Sequence, residues 1–413
     1  MTIDGIIVYT QAYNAEKTIR KAMDSILNQS YGNLIYYVLD NGSTDGTLDI
    51  ISEYAKRDDR IKVLHNDVNN IPDGYEVRWF FVHCAETYPD AYVVCTLDAD
   101  DEYKLDFLEK MIAFMSEKHL DIAACGSDFV DAKTGRLAGV RCLSQEFILE
   151  GDRFAEYFAY YHQFFRTIWG KLFRLPIIKR CDLSRESFKG VSYGWDTMFV
   201  LKTLRQAARV GVFAESLYKY YVSSQSVSYK LFDKRRIVSD RILHEAAHNF
   251  LIEKCGTVSP QNEDFLFCVY MNALKDTLNV LLNAQISAQE KIVGVTDIIT
   301  HEYTGQLMAK DHFGLGIGSV TRMSSQRKEL FSTVADWLLA LDEVPGKLVD
   351  GYCSAGELLS AAVENADAWL FFKKLRVRLF FEQSRMDEAR VSLNELVELI
   401  PNDPDVMELQ QSF

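Results

Sequence analysis

The first 130 residues alternate short β-rich runs with stretches of helical periodicity, and this alternation restricts the possible folds more than any other feature. "GIIVYT" is followed by a helical pattern over Ala15 to Gln29, "LIYYVL" by Thr47 to Arg57, "IKVLH" by Tyr75 to Tyr88, and "AYVVCTL" by Lys104 to Lys118, before "DIAACG". Strand and helix in turn predict a mostly parallel, Rossmann-like sheet with crossover helices. From about Gly151 the pattern turns irregular and aromatic, and after Lys230 it reads as helical to the end. The expected architecture is therefore an α/β domain over 1–230 and an all-α region over 231–413. The glycine-rich "HFGLGIGSV" (His312 to Val320) is expected to divide the second region.

Open sheets of this kind bind ligands outside the carboxyl ends of their strands. Three polar clusters fall at such ends and can line one cleft: Thr10, Tyr13 and Asn14 after the first strand, "DNGSTDGT" (Asp40 to Thr47) after the second, and Asp98 with Asp100 after the fourth. Asp40 is placed to accept hydrogen bonds from a base N–H or ribose hydroxyls, and Asn41 beside it keeps accepting capacity. Gly42 and Gly46 permit a tight turn between them and the next helix. In "VVCTLDADDEYKL" four carboxylates crowd together, a costly arrangement unless a cation or hydrogen-bond donors answer them. Asp98 and Asp100 share a face and can converge on one ion, while Asp101 points elsewhere. The plainer alternative is a solvated acidic turn with Asp101 capping the next helix. Arg78 can reach a phosphate or lie on the surface.

Several classes are excluded. An EF-hand would need Gly at Tyr103, and the first βα loop lacks the glycines of a dinucleotide fingerprint. The net charge of −14 opposes nucleic-acid binding. Eight cysteines without C-x-x-C spacing read as buried thiols, not as a zinc knuckle or disulfide framework. No apolar run is expected to span a bilayer, and "MTIDGIIVYTQAYN" lacks signal-peptide character, so a cytoplasmic protein is expected.

Taken in order, six stretches resemble the motifs of family 2 glycosyltransferases of the GT-A fold over roughly residues 3–230. They are "IIVYTQAYNAEKTIRKAMDSILNQSYGNL", "VLDNGSTDGT", "TLDADD", "IWGKLFR", "GWDTMFVLK" and "YKYYVSSQSVS". The resemblance implies an inverting hexosyltransferase that moves one sugar from a nucleotide sugar, a UDP-sugar, to a glycan, lipid-linked or protein acceptor. It implies Asp40 at the uracil or ribose, Asp98 and Asp100 on a Mn or Mg ion that holds the donor, and Asp196 as the base. The sequence departs from the pattern at Gln11, Asn41, Gly170 and Trp195. Trp195 can stack on a sugar or serve as packing. A processive Q-x-x-R-W signature does not follow Asp196.

Rival readings remain. His244, Glu245 and His248 have the H-E-x-x-H spacing of a zinc peptidase, with Glu263 or Asp264 as the nearby acids available for a third ligand. A dehalogenase-type phosphatase would place its D-x-D at the start of the domain, not after three strands. A non-catalytic nucleotide-binding scaffold is the main non-enzymatic alternative. The C-terminal helices resemble one tetratricopeptide repeat, with Ala389, Leu393, Leu396 and Leu399 at helical spacing, and can serve as a homodimer or partner surface. Trp369 to Phe381 mixes aromatic and basic residues, which suits either core packing or peripheral contact with the inner face of a membrane.

Overall fold

The computed structural model describes residues 3–69, 74–222, 235–301, 304, 329–341, 344, 346–362 and 365–411. The chain divides into two compact units: Met1–Ser226 with Ile242–Asn262, and Val227–Arg241 with Glu263–Phe413.

In the first unit every expected early strand and helix is present. The elements are β1 (Gly5–Ala12), α1 (Ile19–Leu27), β2 (Leu34–Asn41), α2 (Thr47–Ala55), β3 (Ile61–Asn66), α3 (Tyr75–Thr87), β4 (Tyr92–Thr96), β5 (Glu102–Tyr103), α4 (Phe107–Glu117) and β6 (Ile122–Asp131). There follow β7 (Leu137–Arg141), β8 (Phe147–Glu150), α5 (Arg153–Glu156), α6 (Phe158–Tyr161), β9 (Lys171–Arg174), α7 (Leu175–Lys179), α8 (Trp195–Gln206) and β10 (Arg209–Val222). They build one ten-stranded sheet ordered β3-β2-β1-β4-β9-β6-β10-β5, with β7 on β6 and β8 on β10. The β3-β2-β1-β4 portion is parallel, whereas β9 runs antiparallel between β4 and β6. The sheet is therefore mixed. One face is sealed by Ile6, Val8, Tyr36, Val38, Val93 and Cys95 packing on Ile19, Met23, Ile26, Phe107 and Met111.

Two expectations need correction here. The run "LYKYYVSSQSVSY", with Tyr218 and Tyr220 ahead of a Ser226–Ser228 loop, reads in sequence as an edge strand, but β10 pairs with β6 on one side and with β5 and β8 on the other. The separation at 230 is not a single cut either, because helix α9 (Arg235–Cys255) contributes its first residues to the second unit and the rest to the first. The Ser226–Ser228 loop and most of the glycine-rich divider lie outside the described residues.

The second unit is helical: α10 (Pro260–Asn283), α11 (Ala288–Ile299), a helix over 329–339, then Val349–Ala362, Ala366–Glu382, Met386–Leu399 and Pro404–Gln411. Against the sequence expectation, one helix among the described residues, Pro260–Asn283, is long and apolar enough to cross a bilayer. Its Phe267, Tyr270, Met271, Leu274, Leu278 and Leu281 pack into a core with Ile292, Val295, Leu330 and Leu359. Ala389, Leu393 and Leu396 are buried, whereas Leu399 is exposed. Three of the four basic residues of Ala366–Glu382 are tied inside the unit, Lys373 to Glu395, Lys374 to Asp403 and Asp405, and Arg376 to Glu357, while Arg378 is exposed.

Candidate active site

The parallel strands bring their polar ends together on one edge of the sheet. Asp40, at the end of β2, is fully buried. Its Oδ2 lies 2.9 Å from His65 Nδ1, a pairing set by the β2–β3 register, in which Asp40 faces His65. Its Oδ1 is buried and has no hydrogen-bond partner. A buried carboxylate oxygen without a donor is costly, and a base N–H or ribose hydroxyl would satisfy it.

The other residues expected around the nucleotide divide in role. Tyr13 is exposed. Asn14, in the left-handed region at φ 49°, stitches the first two loops: its Oδ1 accepts from Thr44 N–H (2.8 Å) and its own N–H donates to Ser43 Oγ (3.0 Å). Asn41 is buried in an amide chain, accepting from Asn66 (2.8 Å) and donating to Asn69 (3.1 Å). Thr10 is fully buried and accepts from Tyr36 Oη at 3.0 Å, so its side chain belongs to the core. Arg78 is no surface arginine. It is buried, with its guanidinium 4.0 Å from the Phe188 ring.

The four acids after β4 separate by direction. Asp98 is half-buried and Asp100 exposed. Burial, then the negative charges of Asp100 and Asp196, push the Asp98 carboxyl well above the usual range. Burial also raises Asp100, against the opposing field of Lys21. Asp101 turns inward, accepting from Tyr218 Oη (2.7 Å) and Tyr221 N–H (2.8 Å). It therefore fastens the loop to β10 and does not cap α4, whose N-cap residue is Asp106. Glu102 pairs with Lys21 (3.1 Å) and Lys219 (2.9 Å).

Asp196 comes from a distant part of the chain, in the first turn of α8. Its Oδ1 accepts from Thr197 N–H at 2.8 Å. Burial raises its carboxyl, while that hydrogen bond and the Arg166 and Lys171 charges pull the other way. Trp195 beside it lies flat on Gly74, where a Cβ would sit 2.1 Å from the indole. Gly170, in place of the usual Asn, has φ 66°, a conformation that Asn tolerates best after Gly. Asp98, Asp100 and Asp196 thus lie within one electrostatic neighbourhood.

Residues 7–179 match the family profile described as Glycosyl transferase family 2. They form a family 2 glycosyl transferase domain. Curated relatives include the uncharacterized glycosyltransferase EpsJ of Bacillus subtilis, 25% identical over 227 residues, covering 54% of this chain and 62% of EpsJ. The putative teichuronic acid biosynthesis glycosyltransferase TuaG of Bacillus subtilis is 36% identical over 113 residues, covering 27% of this chain and 42% of TuaG. The chain thus spans less than two thirds of the length of these relatives. Among solved structures, S. aureus TarS 1–349 in complex with UDP-GlcNAc aligns with TM-score 0.43 and 17% identity over 92% of each chain.

Two hard carboxylate oxygens converging where negative charge is already uncomfortable suit Mn or Mg. Among the described residues no three His, Cys, Asp or Glu side chains form a metal-holding group, so within the family 2 domain Asp98 and Asp100 would need diphosphate oxygens to complete a coordination shell. The same observation applies to the H-E-x-x-H pair, where no third protein ligand joins His244 and His248 among the described residues.

Proposed function

We propose that this protein transfers one sugar from a UDP-sugar to a hydroxyl of a glycan or glycoconjugate, with inversion at the anomeric carbon. The observation that carries the reading is the convergence of Asp196 with Asp98 and Asp100, from distant parts of the chain, on the sheet edge that also carries Asp40, whose buried Oδ1 has no partner. Asp40 holds the base or ribose, and Asp98 and Asp100 would hold Mn or Mg. When bound, that ion offsets the charge growing on the departing diphosphate. The acceptor oxygen forms its bond to the anomeric carbon as the bond to UDP breaks, with that electron pair leaving on the β-phosphate oxygen. The acceptor proton passes to Asp196, whose Oδ1 is anchored by Thr197 and whose basicity is raised by burial. The free cysteines, without a disulfide among them, support a reducing, cytoplasmic setting.

The test is Asp196→Asn, which keeps the shape and removes the base. UDP affinity measured by calorimetry should stay within about twofold of wild type while turnover falls on the order of a hundredfold or more. Proton NMR of the first product should show the inverted anomer; retention, or near-normal turnover in the mutant, removes Asp196 from the role.

A further inference from the structure

Several cations of the first unit are answered by acids: Arg20 by Glu53, Lys104 by Asp128, Lys110 by Asp106 and Glu215, and Lys179 by Asp90. Arg141, Arg166 and Lys171 differ. Among the described residues none of the three makes an ion pair with a carboxylate, yet they gather at one place. Arg141 ends β7 and donates to Gln163 O (2.7 Å) and Ser127 Oγ (3.2 Å), while its buried Nε has no partner. Lys171 opens β9 with its side chain buried, donating to Trp169 O at 3.0 Å. Both flank the Trp169 ring, at 5.1 Å and 5.8 Å from its centroid. Arg166 is exposed, and its carbonyl accepts the Thr197 hydroxyl at 2.6 Å, which joins it to the turn that carries Asp196. Trp169 is backed by Tyr218 and Tyr220, stacked at 4.5 Å and 5.4 Å.

Such a cluster is expensive to keep. Burial and the Arg141 charge push the Lys171 ammonium down to about 7, and burial and Arg166 push Arg141 down to about 10. The Asp196 carboxylate offsets Lys171 only in part, and buried charge so placed destabilises a fold, so a group that binds there and brings negative charge would relieve it. The cluster's position indicates which substrate brings that charge. Sheet order places β1 and β4 between β2, which carries Asp40, and β9, which carries Lys171. Three strand spacings put the cations roughly 14 Å from the nucleotide end, on the far side of Asp98. An acceptor attacking from the face opposite the departing UDP, as the transferase reading requires, would approach Asp196 from that side.

We propose that Arg141, Arg166 and Lys171, with Trp169 as an apolar wall, form a subsite for an oxyanion carried by the acceptor, so that the acceptor is a phosphate- or carboxylate-bearing glycan and not a neutral sugar. The inference rests on the transferase reading above. Cationic donors beside a buried aromatic wall suit an acidic sugar, whose oxyanion takes charge-assisted hydrogen bonds.

The test is calorimetry on the full-length protein saturated with UDP and Mn, titrated with glycerol 3-phosphate, glucuronate, glycerol and methyl glucoside. The two anions should bind measurably and more weakly as salt rises, with the tighter of them telling phosphate from carboxylate. Both neutral compounds should bind at least tenfold more weakly. Arg166→Gln, at an exposed position compatible with folding, should weaken the anions at least tenfold, Arg166→Lys should recover part of the loss, and UDP affinity should stay within twofold in both. Neutral compounds binding as well as anions would overturn the subsite. Equal loss of UDP and anion affinity in Arg166→Gln would also overturn it, by assigning the cations to the donor diphosphate. Wild-type protein that fails to bind UDP at all removes the transferase reading itself, whereas UDP binding without anion preference removes the subsite alone.

Discussion

Asp98, Asp100, Asp101 and Glu102 carry like charges on adjacent residues and do different things. The D-x-D spacing was legible in the sequence because alternate residues on an extended chain share a face. The role of Asp101 was not, because its partners Tyr218 and Tyr221 lie 117 and 120 residues away and the pairing exists only once β10 is seated. Two substitutions separate the roles. Asp101→Asn weakens a buried acceptor of two hydrogen bonds and should cost about 1–3 kcal/mol of stability, read as a lower urea midpoint. Asp100→Ala, at an exposed side chain, should leave that midpoint within about 0.5 kcal/mol of wild type while abolishing the gain in UDP affinity that Mn confers. If the two variants show the same pattern, the latch and the ligand have been confused. The placement of Asp40 at a strand end was legible in the pattern, and the nearness of Asp196 to the D-x-D acids only through the resemblance, whereas the burial of Thr10 and the amide chain around Asn41 were not. Both depend on which face of a strand the core occupies, and short apolar strands buried on both sides do not reveal that.

At the scale of elements, α3 and α8 pack through Phe81 and Phe199, and their starts meet at one close contact. Gly74 precedes α3 with φ 64°, and the Trp195 indole rests on it so closely that a Cβ would lie 2.1 Å from the ring. Trp195 opens the helix whose next residue is Asp196. The packing reading of Trp195 therefore has a structural basis, and the glycine is required both by backbone conformation and by space. Gly74→Ala places an L-residue in the left-handed region, worth roughly 1–2 kcal/mol, and also displaces the indole. It should lower kcat about tenfold or more with UDP affinity changed little, and alter the near-UV circular dichroism of the tryptophans. Unchanged kcat in a variant that visibly shifts Trp195 would show that the α8 N-terminus needs no such support. No periodicity rule could have linked positions 74 and 195, since the contact is a property of two helix starts and not of either helix.

For the whole molecule, the parallel half of the sheet and the switch to helices were readable from pattern, but the sharing of α9 between units was not. A long polar helix gives no sign of where along its length it changes partners. Its later part belongs with the first unit: Phe250 is buried against Phe154 and Phe158, and Lys254 donates to the Arg205 and Ala207 carbonyls. Burying Phe250 alone contributes about 1.5–3 kcal/mol, a large fraction of the net stability of a domain. A chain ended at residue 230 should therefore melt at least several degrees lower than one ended at residue 262, or aggregate, and only the longer one should bind UDP. Thermal melts and calorimetry on the pair check this; equal melting would show that the later part of α9 is dispensable.

The two units should also respond to acid in opposite directions. In the first, burial pushes the His162 imidazole down to about 3, so the folded form stays neutral while the unfolded chain takes up a proton near its ordinary value of about 6.5. Stability present at neutral pH is therefore lost as pH falls below about 6.5, reaching about 2 kcal/mol at pH 5. In the second unit, burial pushes Asp240 up to about 6 even though it accepts from Thr277 Oγ1 at 2.8 Å. There the folded form holds a proton that the unfolded chain releases near 3.9, so this contribution is present at low pH and lost as pH rises toward 6. Hydrogen exchange at pH 7 and pH 5, corrected for intrinsic rates, should show protection falling around α5, α6 and β9 on acidification while that around Asp240 and Thr277 is maintained or rises. His162→Gln should flatten the first trend and leave the second untouched. A uniform response in both units, unaltered by His162→Gln, would show that neither group governs the acid sensitivity of its own unit.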